Sequence, residues 1–219
     1  MNLLSFGEII WDSYGDSYTI GGAPLNLAAH YAIQGGDAWL ASAVGNDVLG
    51  TRATEHIKAL GLKTDYVSVL DGLQTGECVV TLDEKSVPKY NILENVAYDQ
   101  ISLPVTLNQT FDVIAFGTLA LRSKQNVEAL ECILRNNTFG EIYTDLNIRP
   151  PFYSKESIEF CLTNATIVKI SDEELPLVTL QLFGKNVACA DAYDLIAQNY
   201  PKIKLILITQ GEMGSTCYD

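Results

Sequence analysis

Leu3 to Ile10 is a short, nearly continuous apolar run holding Gly7-Glu8. It predicts a buried strand whose end carries Trp11 and Asp12. Residues 13–20 are polar and aromatic and lead into Gly21-Gly22. From Pro24 onward Leu25, Leu27, Ala28, Tyr31, Ala32 and Ile33 give broad apolar faces, the pattern of a helix ending near Gly35-Gly36. Ala38 to Val44 reads as the next strand. Asp47 is placed to cap a second helix, on which Leu49, Ala53, Ile57 and Leu60 recur at helical spacing before Gly61 stops it. The opening is therefore β-α-β-α, the order of a parallel sheet covered on both faces.

The rhythm then changes. Residues 64–70, 75–83 and 89–95 read as consecutive strands joined by turns at Asp71-Gly72 and Asp83-Glu84-Lys85. They predict a small antiparallel sheet that projects from the main body and is joined by residues 13–20. From Phe111 the alternation resumes, with a buried strand (FDVIAFG) and a helix from Ser123 to about Arg135. A strand from Glu141 ends at Asp145, and Pro150-Pro151 breaks the chain before a helix capped by Ser154. Ala165 to Ile170 is a strand, after which Ser171 caps the acidic turn Asp172-Glu173-Glu174 at a helix start. A further helix from about Ala188 to Asn199 precedes an apolar strand from Leu205 to Thr209. Gly211 to Gly214 then leads into one more strand. There is no internal repeat.

Composition narrows the functional classes. Apolar residues make up 47% of the 219 and charged residues 19%, as in an ordinary globular protein. A net charge of −13 without a basic cluster argues against nucleic-acid binding. The five cysteines are scattered, with no C-x-x-C pair, and His30 and His56 stand alone. Reduced thiols in a cytoplasmic protein fit better than a zinc site or a disulfide framework. No apolar run reaches membrane-spanning length, and the N-terminus lacks the basic lead of a signal peptide.

In an open parallel sheet, ligands bind beyond the carboxyl ends of the strands. The polar groups expected there are Asp12, Gly45 to Asp47, Gly117-Thr118, Asp145 to Arg149, Lys169 to Glu174 and Thr209 to Gly211. Singly, each is as well explained by a cap, a turn or a solvated edge. Together they place carboxylates, amides, one arginine and one lysine on one rim, a set suited to a polyhydroxylated substrate. Gly21-Gly22 before Pro24 and Asn26 is by itself an ordinary tight strand-to-helix turn, although its glycines also let backbone approach a ligand closely.

The ordered set GE…WD (7–12), GGAPLNLA (21–28), VGNDVLG (44–50), TG (75–76), DLNIRP (145–150), KISDEE (169–174) and TQGEMGS (209–215) resembles the ribokinase-like (PfkB) carbohydrate kinases, most closely their fructokinase-like branch. The resemblance runs over nearly the whole chain and rests on order and spacing together. It implies a three-layer, Rossmann-like α/β ribokinase fold with a central, mostly parallel sheet and a small β-sheet lid. Residues 1–219 would form one such domain, incomplete at its C-terminus, with the lid at about 13–20 and 71–97. The implied activity is ATP-dependent phosphorylation of a sugar hydroxyl, with Mg2+ as the metal and a small-molecule sugar as the partner.

By the same resemblance Asp12, Gly22 and Asn26 bind sugar hydroxyls. Asn147 and Arg149 lie near the substrate, Arg149 supporting catalysis through charge-assisted bonds. Lid residues around Thr75 to Tyr90 cover the sugar and exclude water. Lys169, Ser171 and Glu174 stand at the family's N-x-x-E motif beside the nucleotide. Glu174 would reach the metal only through phosphate or water, and serine replaces the motif's asparagine at 171. Thr209, Gly211 and Gly214 match the loop beside the nucleotide. A homodimer paired through the lid is left open.

One departure matters. The family's catalytic base is an aspartate in a G-A-G-D stretch at a helix N-terminus, and these residues contain no G-x-G-D. Gly35-Gly36-Asp37 ends a helix and leads into a strand, so it is no substitute. The expectation is a truncated kinase, inactive alone and without a catalytic base of its own. The competing expectations are a non-catalytic sugar-binding or regulatory relative and a nucleoside kinase of the same superfamily.

Overall fold

In the computed structural model, which describes residues 1–82, 88–185, 187 and 189–219, the first apolar run is divided between two sheets. Strand β1 (Asn2–Phe6) lies in the central sheet and β2 (Ile10–Tyr14) in the small one. The expected single strand over residues 3–10 is thus corrected. Gly7 has φ +147 and sits against Pro24, whose Cγ would lie 2.6 Å from any Cβ placed there. Both faces of this run are buried, so its hydrophobicity could not mark the break.

Strand β3 (Ser17–Gly21) forms a hairpin with β2, and helix α1 (Ala23–Ile33) follows with Pro24 in its first turn. Strand β4 (Asp37–Gly45) precedes helix α2 (Val48–Ala59), where Asp47 caps as expected by accepting a bond from the Gly50 N–H at 2.7 Å. Strand β5 (Lys63–Leu70) pairs parallel with β4. Residues 64–70 therefore belong to the central sheet and not to the small one, completing the β-α-β-α opening as its next parallel strand.

Strands β6 (Gly76–Leu82) and β7 (Pro88–Ile92) complete a four-stranded sheet in the order β3-β2-β6-β7. This sheet is mixed, because β2 and β6 run parallel while its other pairs are antiparallel. It also begins at Ile10, earlier than the expected 13–20. The turn expected at Asp83-Glu84-Lys85 lies outside the described residues.

The second half supplies β8 (Phe111–Phe116), α3 (Lys124–Asn136), β9 (Phe139–Asp145), α4 (Lys155–Asn164) and β10 (Ile167–Ser171). These are followed by α5 (Leu175–Phe183), α6 (Cys189–Asn199), β11 (Leu205–Thr209) and β12 (Ser215–Tyr218). The central sheet runs β12-β11-β10-β9-β8-β1-β4-β5, and only the β11–β12 pair is antiparallel.

Side chains alternate across this sheet, and each face has its own core. Leu3, Ala38 and Leu40 pack with Leu25 and Ala28 of α1 and Ala53 and Ile57 of α2. Leu4, Phe6, Trp39 and Ala41 belong to the opposite core, with Leu130 and Ile133 of α3, Ile158 and Leu162 of α4, and Ile196 of α6. Trp11 pins the β2–β3 hairpin to α2: its Nε1–H donates to the Leu49 carbonyl at 3.1 Å, and Arg52 lies 4.9 Å from its ring centroid. No described helix is long and apolar enough to cross a membrane.

Candidate functional site

The small sheet, the start of α1 and the segment after β9 enclose a cavity of about 860 Å3. Its lining includes Asp12, Gly22, Asn26, Asn147 and Arg149, the five residues that the motifs single out for the acceptor. They come from three separate stretches, and only the tertiary fold brings them together.

Gly22 forms the turn into α1 with φ +115, and a Cβ at this position would collide with the Glu8 carbonyl oxygen. The residue is glycine for both reasons: the backbone conformation and the close approach. The turn is held from below. Glu8 Oε1 accepts from the Ala23 N–H at 3.1 Å, and Ser5 Oγ donates to the Pro24 carbonyl at 2.8 Å. Asn26 then stands one turn into α1 and faces the cavity, with His30 one turn further along.

Asp12 lies on β2, directly across from Cys78 on β6. Burial, with the Asp12 carboxyl beside it, pushes the Cys78 thiol up to about 11, so the side chain stays a neutral thiol at neutral pH. Tyr90 and Ile92 of β7 and Phe152 give the cavity an apolar and aromatic wall. Of the segment expected to cover the acceptor, Cys78 and Tyr90 reach the cavity but Thr75 does not. Thr75 is buried at the root of the small sheet, where its hydroxyl accepts from the Gly45 N–H at 3.0 Å and donates to Asp47 at 2.7 Å.

The segment after β9 alternates. Leu146 and Ile148 are buried in the core, while Asp145, Asn147 and Arg149 line the cavity. Asn147 has φ +40, a left-handed conformation uncommon for any residue but glycine. Asp145 is half-buried beside Lys169, whose Nζ lies 3.0 Å from its Oδ1. Burial raises the Asp145 carboxyl above its ordinary range, with Lys169 pulling the other way.

Two of the cavity's ionisable groups, Glu8 and Asp145, were not singled out as site residues. Glu8 is only 3% exposed, and burial lifts its carboxyl to about 7, well above the ordinary 4.5. The GE pair at residues 7–8 was its only sequence signal, and Asp145 was visible only as a polar strand end. Phe152 gives no signal in the sequence, and Cys78 is marked only by falling within the expected covering segment.

None of the residues expected beside the nucleotide lines the cavity; they lie toward the ends of β10 and β11, with Lys169 and Glu174 bonded to the Asp145–Arg149 segment that does. Ser171 and Thr209 are direct partners in that parallel pair. Ser171 Oγ accepts from the Glu174 N–H at 3.2 Å and so closes the acidic turn, as expected, but the residue at the N-cap of α5 is Glu174, three positions later. Gly211 and Gly214, with φ +53 and +90, shape the exposed turn between β11 and β12. Among the described residues no three His, Cys, Asp or Glu side chains gather as a metal site. Both Glu174 carboxylate oxygens already accept backbone N–H groups, which leaves lone pairs for an indirect metal contact through water.

Comparison with known proteins places these features in a family. The model for the pfkB family carbohydrate kinases matches residues 6–219. Fructokinase-2 of Solanum habrochaites is 25% identical over 241 aligned residues, covering 99% of this chain and 71% of the relative. Two solved structures share the fold. A fructokinase from Xylella fastidiosa with bound ATP superposes with a TM-score of 0.83 at 19% identity, covering 99% of this chain and 74% of that one. A double mutant of the Vibrio cholerae O395 fructokinase in a fructose-, ADP- and potassium-bound form gives 0.82 at 20%, covering 99% and 72%.

Proposed function

Because the chain belongs to the pfkB family of carbohydrate kinases, we propose that it serves the ATP-dependent phosphorylation of a sugar hydroxyl, with a fructokinase-like acceptor. The single observation that carries this reading is the one cavity that Asp12, Gly22, Asn26, Asn147 and Arg149 line together. Carboxylate and amide groups match the alternating donors and acceptors of a polyol. The cavity's arginine, Arg149, is assigned in this reading to the phosphoryl side of the reaction, where charge-assisted bonds are strongest.

In this reading Asp12, Gly22 and Asn26 hold the acceptor, and the small sheet closes over it to keep water from competing. Lys169, Ser171, Glu174, Thr209, Gly211 and Gly214 border the nucleotide. Mg2+, bound with ATP, would neutralise phosphate charge there, with Glu174 holding it through water. The proton-accepting aspartate of the G-A-G-D stretch is assigned to a segment outside these 219 residues, so the chain alone is expected to bind rather than turn over. The same reading carries a homodimer paired through the small sheet, which exposes Tyr14, Tyr18 and Tyr90; sedimentation of the chain would show it as a twofold mass.

The test is ADP formation from ATP and Mg2+ across fructose, ribose, 2-keto-3-deoxygluconate and adenosine. This chain would be run beside the product of its uninterrupted reading frame. Turnover confined to the longer product, with a sugar preferred over adenosine, is the expected result. Turnover by the 219 residues themselves would overturn the assignment of the base. Sugar binding without turnover in either would favour a non-catalytic sugar-binding relative.

A further inference from the structure

Glu174 lies on the nucleotide side of the fold, yet its carboxylate reaches the segment that lines the acceptor cavity. Its Oε1 accepts from the Ile148 N–H at 2.6 Å, and its Oε2 accepts from the Ser171 N–H at 2.9 Å. Ile148 stands between Asn147 and Arg149, both of which line the cavity. One carboxylate therefore joins the two sides of the site.

The backbone between them explains why such a tie is needed. Asn147 is held at φ +40, a conformation that is strained for a non-glycine residue and persists only where its surroundings impose it. The N–H groups on either side are both fastened: Leu146 N–H donates to the Lys169 carbonyl at 3.1 Å, and Ile148 N–H donates to Glu174. The first is the last backbone bond continuing the β9–β10 pairing, and the second is made by a side chain alone. Without the Glu174 acceptor, Asn147 is free to relax toward the right-handed region. That rotation would carry the Asn147 and Arg149 side chains away from their places in the cavity.

We infer that Glu174 is a positioning residue for the acceptor cavity, holding Asn147 and Arg149 in place through the Ile148 amide. The inference rests on the acceptor reading above and adds a role that does not pass through metal or phosphate. A purely nucleotide-side Glu174 would leave sugar affinity untouched when no nucleotide or metal is present.

The experiment uses the whole chain in nucleotide-free, chelated buffer. It measures fructose affinity by calorimetry and amide exchange over residues 145–150 for the unaltered chain, Glu174→Ala and Glu174→Gln, with circular dichroism and Tm verifying the fold. Losing a partly buried, charge-assisted bond is expected to weaken fructose binding by about tenfold or more in Glu174→Ala. Protection at Ile148 should fall in the same variant. Glu174→Gln, which keeps a carbonyl oxygen for one of the two N–H groups, should lie between. A folded Glu174→Ala chain that binds fructose with unaltered affinity, or that keeps its Ile148 protection, would overturn the inference alone. An unaltered chain that binds none of the sugars named above, while Glu174→Ala still loses Ile148 protection, would overturn the acceptor reading and the inference with it.

Discussion

Glu8 Oε1 accepts the Ala23 N–H at 3.1 Å, so a buried carboxyl supports the turn that presents Gly22 to the cavity. Burial is the main cause of its rise to about 7; bonds from its own and the Ala23 N–H lower it, Asp145 raises it further and Arg149 lowers it. Below the ordinary 4.5 the group is protonated in the folded and unfolded chain alike. As pH rises from 4.5 to about 7 the unfolded chain ionises first, so stability is lost across that window and stays lost above it. Glu8→Gln keeps the bond to Ala23 without the ionisation. Its Tm should match the unaltered chain near pH 4.5 and exceed it above pH 7, by the equivalent of at most roughly 3 kcal/mol. Thermal unfolding of both proteins from pH 4.5 to 8.5 measures this, and a gap independent of pH would contradict it.

Gly22→Ala should remove acceptor binding and destabilise the fold. The new Cβ would strike the Glu8 carbonyl oxygen, and alanine is strained at φ +115. The expected loss is about 2–4 kcal/mol, since strain and collision act together. Urea unfolding gives the first quantity and fructose calorimetry the second.

Asp12→Ala, made in the product of the full reading frame, should raise the acceptor KM at least about tenfold while leaving ATP affinity nearly unchanged. Asp12 lines the cavity on the small sheet, and none of the residues at the ends of β10 and β11 lines it. Steady-state kinetics with each substrate varied in turn separates the two effects. Unaltered sugar kinetics would remove Asp12 from the acceptor site.

Asp47 ties the root of the small sheet to the central one. Its carboxylate accepts from the Gly50 N–H at 2.7 Å, the Thr75 N–H at 2.8 Å and the Thr75 hydroxyl at 2.7 Å. Burial disfavours its charge, but the bonds from Thr75 and the Gly50 and Leu49 amides outweigh it, so its carboxyl lies below the ordinary 3.8. The stabilisation is therefore present above that value and is lost as pH falls through the lowered one. Asp47→Ala should cost about 1–3 kcal/mol at pH 7, through the lost cap and the unpaired Thr75 amide. The gap in Tm should narrow in strong acid.

The alternation of apolar runs with helical periodicity was enough to specify a parallel α/β sheet, and Asp47 and Ser154 announced their helix starts by residue type alone. These are local effects, decided by a side chain and the backbone within one turn of it. The order of the short motifs was likewise enough to gather Asp12, Gly22, Asn26, Asn147 and Arg149 as one set. What hydrophobicity could not decide was which sheet a run joins. Leu3 to Ile10 is nearly continuously apolar, and even its Ser5 and Glu8 are buried, so nothing in its pattern marked Gly7 as the place where the chain leaves one sheet for the other. The strand at Lys63–Leu70 could be assigned to the central sheet only by its pairing with Asp37–Gly45. The Glu8 support of the Ala23 amide and the Glu174 hold on Ile148 span 15 and 26 residues. Such bonds depend on which segments the packed core brings within 3 Å of each other, and no local propensity encodes that.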